Sequence, residues 1–229
     1  MIRIEGVSHR YGDREVLSGI DLSLAEDRIG VIGANGSGKS TLARLLNGLV
    51  VPSTGRVLVD GMDTAGDGAG VRRKVAFVFS DPDAQIVMPT VAEDVAFSLR
   101  RRGLSTKEVA ERVGDILGRY GLGGHADHPA HLLSSGQKQL LALASVLVTE
   151  PEVLVCDEPT TLLDLRNSRQ VAGLLDGLAQ RVVLITHDLD LLRGWQRVLV
   201  IDEGRVVADG PAQQSVGHYQ ALMGAQRSW

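Results

Sequence analysis

The chain is short of cysteine, aromatic residues and long apolar runs, and each shortage limits what it can be. Cys156 is the one cysteine among 229 residues, so no intrachain disulfide can form, which fits a reducing compartment. No run of about 18 apolar residues occurs, so we expect no helix that spans a bilayer. The opening segment, MIRIEGVSHRYGD, is charged and lacks the apolar centre of a signal peptide, so we expect no secretory leader.

Positive charge is not in excess either, because the formal net charge is −4. This argues against a nucleic-acid-binding protein that uses a broad basic surface. Aromatic residues make up 3% of the chain, so aliphatic side chains must form most of its core. With 44% hydrophobic residues, the chain can bury such a core, and its length suits one large α/β domain.

The hydrophobic pattern alternates strands with helices along most of the chain. A strand-rich first part is followed by βα alternation, which predicts a parallel sheet covered by helices, and residues 91–137 are predicted to form a mainly helical subdomain. The glycine-rich stretch 61–70 is predicted to be a surface loop. The predicted strands are Ile2–Val7, Val16–Leu24, Ile29–Ile32, Arg56–Val59, Val75–Phe79, Val153–Cys156, Val182–Thr186, Val198–Ile201 and Arg205–Ala208. The predicted helices are Lys39–Asn47, Val91–Tyr120, which ends at Gly121, Gln137–Val148 and Leu165–Leu178.

A glycine-rich phosphate-binding motif follows the third predicted strand. It has the pattern GxxxxGK[ST] between an apolar strand and a helix, which is the context that this motif requires. Its backbone N–H groups can converge on one anion, and the lysine can reach the β- and γ-phosphates of a nucleotide while the serine ligates Mg²⁺. The alternative is a glycine-rich turn that matches by chance. The motif consists of Gly33, Ala34, Asn35, Gly36, Ser37, Gly38, Lys39, Ser40 and Thr41.

Two acidic residues end the apolar strand Val153–Cys156. Acids at the carboxyl edge of a parallel strand can lie beside a phosphate loop that follows a neighbouring strand. We therefore predict that Asp157 holds Mg²⁺, directly or through water, and that Glu158 is the general base that polarises the attacking water. An acidic turn at the surface is the alternative interpretation.

At this point the whole chain resembles the ABC transporter ATPases. Their signature LSGGQ has a counterpart at residues 133–137, where Ser135 replaces a glycine; from the residues alone this could also be an ordinary helix N-cap. The resemblance implies a P-loop NTPase parallel-sheet core, an N-terminal antiparallel β subdomain and a helical signature subdomain, all in one domain of residues 1–229.

The resemblance also assigns roles to particular residues. It implies that Tyr11 stacks on adenine, that His187 is the switch histidine at the γ-phosphate, and that Asp164 belongs to the D-loop, which touches a second subunit. A surface tyrosine and a helix-capping histidine are the alternatives. The family implies a head-to-tail homodimer, or a dimer with a related ATPase, in which ATP is covered by the other subunit's signature, made of Ser134, Ser135, Gly136 and Gln137.

The stretch SDPDAQ at residues 80–85, followed by TVAEDVAF, resembles the Q-loop of energy-coupling-factor (ECF) transporter ATPases. Ser80 stands where that group has its first glutamine, and this departure puts the usual Q-loop contact in doubt. Gln85 matches the second glutamine, which opens a short helix beside the groove for a transmembrane coupling protein. Glu93 and Asp94 would face basic residues of that protein, or would simply form an acidic helix start.

The tail 211–229 is short for this group and has room for one short helix. Together with Ser80 and the altered signature, it resembles the ATPase subunits of biotin transporters. The implied partners are a transmembrane ECF coupling protein and a vitamin-binding membrane protein, and the implied location is the cytoplasmic face of the inner membrane, as a peripheral protein. The alternatives are an ECF ATPase for another vitamin or for cobalt or nickel, and a soluble ABC ATPase such as an iron–sulfur assembly ATPase.

Overall fold

We describe the protein from a computed structural model, in which residues 1–100 and 102–225 are described. These residues form two sheets. A four-stranded antiparallel sheet has the order β2-β1-β4-β5, and a six-stranded sheet has the order β10-β9-β3-β8-β7-β6. The strands are β1 (Ile2–Tyr11), β2 (Arg14–Leu24), β3 (Arg28–Ile32), β4 (Thr54–Val59), β5 (Met62–Asp63), β6 (Val75–Val78), β7 (Val153–Asp157), β8 (Arg181–Ile185), β9 (Arg197–Asp202) and β10 (Arg205–Gly210).

Helices cover the six-stranded sheet and fill the connections between its strands. The α-helices are α1 (Lys39–Leu46), α2 (Gly68–Lys74), α3 (Val91–Ser98), α4 (Thr106–Arg119), α5 (Ser135–Leu147), α6 (Leu165–Asp176) and α7 (Ala212–Ala225). None of the helices in the described ranges combines the length and apolar character that crossing a membrane requires.

The larger sheet is parallel except at one edge. Strands β9, β3, β8, β7 and β6 pair in parallel, and β10 pairs antiparallel with β9. The carboxyl ends of β3, β8 and β7 therefore lie at one edge of this sheet, where open α/β sheets bind ligands. The predicted α/β architecture, with a parallel core and an N-terminal antiparallel sheet, is confirmed.

Alternate residues of the parallel strands enter two different hydrophobic cores. In β7, Val153 and Val155 face α1 and the antiparallel sheet, whereas Leu154 and Cys156 face the core built with α3 to α7. Both faces of the sheet are buried, which explains why its strands are continuous apolar runs without polar alternation. The predicted subdomain region 91–137 contributes α3 and α4, which pack with α5 in the second core.

The helix predicted from residue 91 and the loop predicted from residue 61 differ from the structure in more than their end residues. The helix predicted over Val91–Tyr120 is divided, because Ser105 and Glu108 form a capping box that starts α4. The loop predicted at residues 61–70 contains β5 and the start of α2, since the side chain of Asp67 accepts a 2.8 Å hydrogen bond from the N–H of Gly70. The predicted C-terminal helix is α7, and residues 226–229 of the predicted tail lie outside the described ranges.

Candidate functional site

The phosphate-binding motif forms the loop between β3 and α1, and its glycines are required by its shape. Gly33 and Gly38 have φ of 153° and 108°. A Cβ on Gly33 would lie 2.0 Å from the carbonyl oxygen of Ile201, and one on Gly38 would lie 2.7 Å from Leu17. Side chains at these two positions would therefore prevent the backbone from curling into a cradle.

Donors at this loop are available for an anion. Within the described chain, the Oγ of buried Ser37 has no hydrogen-bond partner, and no side chain caps the start of α1. The uncapped N–H groups lie at the positive end of the helix dipole. A phosphate group would satisfy these donors, so the loop fits the nucleotide that its sequence predicts.

Lys39 is buried, and its ammonium is hydrogen-bonded to the loop itself. Its Nζ donates to the carbonyl oxygens of Gly33 and Ala34, each at 2.9 Å. Burial lowers the pKa of Lys39, while the carboxylates of Glu158 and Asp157 act in the opposite direction. The positive charge of Lys39 therefore lies beside the residues that are predicted to bind phosphate and Mg²⁺.

Ser40 and Asp157, the two predicted Mg²⁺ ligands, are hydrogen-bonded to each other. The Oγ of Ser40 donates to Oδ1 of Asp157 at 2.9 Å, although β8 lies between the strands that position them. The sequence predicted that the acidic residues end a strand adjacent to the one before the phosphate loop. In the structure they end β7, which is one strand further from β3. Burial raises the pKa of Asp157, while Ser40, Arg44 and Lys39 oppose that shift.

Glu158 and His187, which the sequence placed separately, face each other. The Nδ1 of His187 lies 2.7 Å from Oε2 of Glu158. Thr161 donates to the same oxygen at 3.2 Å, and the N–H of Glu158 donates to the carbonyl oxygen of Ile185 at 2.9 Å. Glu158 has φ of 52°, which is rare for a residue with a side chain and directs the carboxylate out of the strand.

A cleft of about 260 Å³ opens beside the phosphate loop. Its walls are formed by Tyr11, Arg14 and Val16 from the first hairpin and by residues of the loop and α1. Tyr11 is 49% exposed and packs edge-on against His9. Sequence reasoning missed Arg14, whose signal was its place three residues after Tyr11 in a tight hairpin.

The signature residues lie at the start of α5. Ser134 and Ser135 are exposed, while Gly136 is buried where a Cβ would lie 2.6 Å from the side chain of Asn167. Ser134 is the N-cap and forms a capping box with Gln137. Across the described ranges, no hydrogen bond joins residues 134–137 to the phosphate loop of the same chain.

Exposed apolar residues flank the predicted D-loop. Asp164 caps α6 by accepting a 2.8 Å hydrogen bond from the N–H of Asn167. Leu162 and Leu165, on either side, are 57% and 67% exposed. This surface and the exposed signature serines are candidates for contact with another copy of the chain.

Gln85 does not open a helix as predicted, but ends a 3₁₀ turn over Pro82–Ala84. Its Oε1 accepts from the N–H of Phe79 at 3.1 Å, and its Nε2 donates to the carbonyl oxygen of Ala142 in α5 at 3.0 Å. The side chain therefore ties the end of β6 to the signature helix. Ser80 is exposed.

The prediction that Asp94 faces a membrane partner is wrong, because this residue is 3% exposed. Its carboxylate accepts hydrogen bonds from the N–H groups of Val87 and Met88 and from Oγ of Ser145, the last at 2.8 Å. Glu93, the other acid of the pair, belongs to a capping box with Thr90 at the start of α3.

One side of α5 thus holds the segment 79–94 in three places. Lys138 forms an ion pair with Asp83 at 2.7 Å, and Ala142 and Ser145 make the contacts to Gln85 and Asp94. We call Lys138, Ala142 and Ser145 the α5 stripe, since their spacing places them on one helix face.

Known proteins resemble the chain over nearly all of its length. A family model for ABC transporters matches residues 17–161. A putative ABC transporter ATP-binding protein of Deinococcus radiodurans is 55% identical, covering 97% of this chain and 99% of the relative. The biotin transport ATP-binding protein BioM of Rhizobium etli is 48% identical, with 96% and 98% covered. The energy-coupling factor transporter ATP-binding protein EcfA1 of Symbiobacterium thermophilum is 42% identical, with 92% and 79% covered.

Solved structures agree with the sequence relatives. CbiO1 of Clostridium perfringens, part of the ABC transporter complex CbiONQ, superposes with a TM-score of 0.83 at 33% identity, covering 99% of this chain and 95% of that one. A dimeric ATP-binding cassette in a post-hydrolysis state, bound to ADP and Pi, superposes with a TM-score of 0.82 at 27% identity, covering 93% and 99%.

Proposed function

The chain belongs to the ABC transporter family of ATP-binding proteins, and from this premise we propose that it is the energy-coupling subunit of an ECF-type importer for biotin. It is an ATPase of the kind that is coupled to transport. The observation that carries the proposal is the meeting of Lys39, the Ser40–Asp157 pair and the Glu158–His187 pair at one edge of the sheet.

Residues 33–41 bind the phosphates of ATP in this proposal. Lys39 exchanges the carbonyl oxygens of Gly33 and Ala34 for oxygens of the β- and γ-phosphates, and the hydroxyl of Ser37 gains a partner. Tyr11, exposed at the mouth of the cleft, stacks on adenine. Arg14 lines the same cleft and adds positive charge near the nucleotide.

Ser40 and Asp157 hold Mg²⁺ through their oxygens, which already lie 2.9 Å apart. When bound, Mg²⁺ would supply positive charge that stabilises the negative charge developing on the phosphates. Glu158 accepts the proton of the attacking water, and His187 orients the Glu158 carboxylate and contacts the γ-phosphate.

A second copy completes the site. The exposed serines of its signature and the N-terminus of its α5 cover the triphosphate, with the D-loop at Asp164 alongside. One chain therefore supplies two half-sites, and loss of the γ-phosphate removes the charge that both copies hold. The dimeric cassette among the solved relatives supports this arrangement.

Transport follows if closure of the dimer moves the surface that faces the membrane partner. The partners in this proposal are a transmembrane ECF coupling protein and a vitamin-binding membrane protein, with the chain bound peripherally at the cytoplasmic face of the inner membrane. Gln85 and the α5 stripe support coupling, since they join segment 79–94 to the signature helix. The relatives named for biotin transport and energy coupling support the substrate and the class.

Complementation between two inactive variants tests the composite site. Lys39→Ala removes the phosphate contact, and Ser134→Asp keeps a good N-cap but adds a negative charge opposite the phosphates. We expect each variant alone to hydrolyse ATP at background rate and their mixture to regain activity, because mixed dimers contain one intact pair of half-sites.

Ser134→Asn is the matched control, since it caps α5 without the charge and is expected to retain activity. A mixture that stays inactive while the parent protein is active would contradict the composite site.

Uptake of labelled biotin tests the substrate. Deleting the gene in its host is expected to abolish high-affinity biotin uptake, and the parent but not Lys39→Ala is expected to restore it. If the deletion instead abolishes uptake of cobalt, nickel or another vitamin, the chain is an ECF ATPase for that solute and not for biotin. Intact uptake, with no co-purifying membrane protein, would favour a soluble assembly ATPase.

A further inference from the structure

The side chain of Gln137 is held at both of its polar ends. Its Oε1 accepts a hydrogen bond from the N–H of Ser134 at 3.0 Å, which closes the capping box of α5. Its Nε2 lies 3.2 Å from Nε2 of His125, twelve residues earlier in the chain. The conformation of the signature therefore depends on a residue outside it.

The hydrogen bonds of Gln137 determine which nitrogen of the His125 imidazole carries the proton. Because the N–H of Ser134 needs an acceptor, the oxygen of the Gln137 amide faces Ser134 and its NH₂ group faces His125. An NH₂ group can only donate, so Nε2 of His125 must offer its lone pair. The ring is then neutral, with its proton on Nδ1.

The rest of His125 is fixed by its surroundings. Its N–H donates to the carbonyl oxygen of Leu122 at 2.8 Å, and its carbonyl oxygen accepts from the N–H of His128 at 2.9 Å. Its Nδ1 is buried and, within the described part of the chain, has no hydrogen-bond partner. Among the described residues, the hydrogen bond of this ring is therefore the one with Gln137, and the ring of His128 lies edge-on to it with 5.7 Å between the ring centroids.

We propose that His125 is a positioning residue for the signature. Its neutral imidazole holds the amide of Gln137, and this amide holds the backbone at Ser134 in the shape that receives the nucleotide of the other copy. This inference rests on the proposed function, because it assigns to residues 134–137 the role of covering ATP. His125 itself touches neither nucleotide nor metal in this account.

Two substitutions separate the hydrogen bond from the shape of the side chain. His125→Leu removes the acceptor, whereas His125→Gln offers an amide oxygen to Gln137 at a similar reach. His218→Leu, on the exposed surface of α7, is the matched control. We expect His125→Leu to lower kcat by up to about 100-fold, as small misplacements of catalytic groups do, and to weaken ATP-driven dimerisation measured in the Glu158→Gln background.

Binding of ADP to a single chain is expected to be unchanged in all three variants, since the cradle is intact. His125→Gln is expected to recover kcat and dimerisation, which a purely structural role would not require. Equal activity of His125→Leu and the parent, or equal losses in His125→Leu and His125→Gln, would overturn the proposal.

Nitrogen-15 NMR of histidine-labelled parent protein tests the contact without reference to activity. We expect His125 to carry its proton on Nδ1 with Nε2 unprotonated, and the opposite tautomer would overturn the proposal. If the parent shows no ATP-driven dimer, the proposed function fails, and the tautomer still decides whether the contact exists.

Discussion

Asp157 is a carboxylate that folding removes from water, although the proposed Mg²⁺ site requires its charged form. Because burial raises its pKa above that of the unfolded chain, the folded state binds a proton more tightly between the two values. Stability therefore falls as the pH rises through that window, and the penalty is fully present above it. In the nucleotide-free protein the charge of Asp157 therefore lowers the free energy of unfolding, and a cation bound at the proposed Mg²⁺ site would relieve this penalty.

We predict that Asp157→Asn raises the melting temperature of the nucleotide-free protein at neutral pH. The amide can still accept the hydrogen bond from Ser40 but carries no buried charge. The advantage should shrink as the pH falls below the raised pKa, and the variant should lose stabilisation by Mg·ATP. Thermal unfolding across a pH series measures both effects, and a parent more stable than the variant at neutral pH would contradict this interpretation.

His187 should affect the chemical step more than nucleotide binding. Its contact with Glu158 is 2.7 Å long, and removing it frees the carboxylate to rotate away from the attacking water. We predict that His187→Ala lowers kcat on the order of 100-fold, as small misplacements of a catalytic group do, with little change in KM for ATP. Steady-state kinetics check this, and His218→Ala, on exposed α7, serves as the control.

At single residues, the sequence predicted position better than orientation. The meeting of Ser40, Asp157 and Glu158 at one edge of the sheet was predictable from the motif and the strand ends, and the family resemblance added His187. The burial of the Asp94 side chain was not predictable, because its carboxylate is held by the N–H groups of residues 87 and 88, in the loop before α3. A distant partner of this kind leaves no local pattern in the chain.

Among the helices, α5 connects the signature to the segment that follows β6. Its stripe contacts that segment through an ion pair, a backbone carbonyl and a hydroxyl. The hydroxyl of Ser145 is the buried contact, since it donates to the buried Asp94 carboxylate. The helix and the segment should therefore move together when the dimer closes.

We predict that Ser145→Ala lowers the free energy of unfolding by about 1–3 kcal/mol, because it leaves a buried carboxylate oxygen without its donor. Chemical denaturation measures the change. Ser98→Ala, on neighbouring α3, is the control, and an equal effect of the two substitutions would show that the Asp94 contact contributes nothing specific.

The ends of several helices and strands are set by local sequence signals whose importance only the structure shows. The division between α3 and α4 follows the capping box of Ser105 and Glu108, a signal present in the sequence. The antiparallel edge strand β10 follows from a tight turn in which Glu203 and Gly204 have φ of 45° and 77°. Helix α2 was not predicted because its first turn is glycine-rich, although Asp67 caps it and Val71 is buried.

At the scale of the whole molecule, the order of strands decides what the site can be. After β3 the chain adds β4 and β5 to the antiparallel sheet that β1 and β2 began, and it returns at β6 on the far edge of the larger sheet. Strand β7 then pairs with β6, and β8 lies between β7 and β3, the two strands that carry the acidic pair and the phosphate loop. Periodicity predicted a parallel sheet but could not predict this order. The order rests on pairings between strands that are far apart in the chain, such as β3 with both β8 and β9.

One molecule has a phosphate loop at one place and the exposed serines at the start of α5 at another. In the proposed function, two molecules bring these features together around ATP. Glu158→Gln should stop hydrolysis and preserve the complex, so its mass can be measured by sedimentation. We predict a dimer with ATP and Mg²⁺, a monomer with ADP, and a monomer with ATP when Ser134→Asp is added. A Glu158→Gln protein that stays monomeric at saturating ATP, or that dimerises equally well with the added charge at Ser134, would contradict the account.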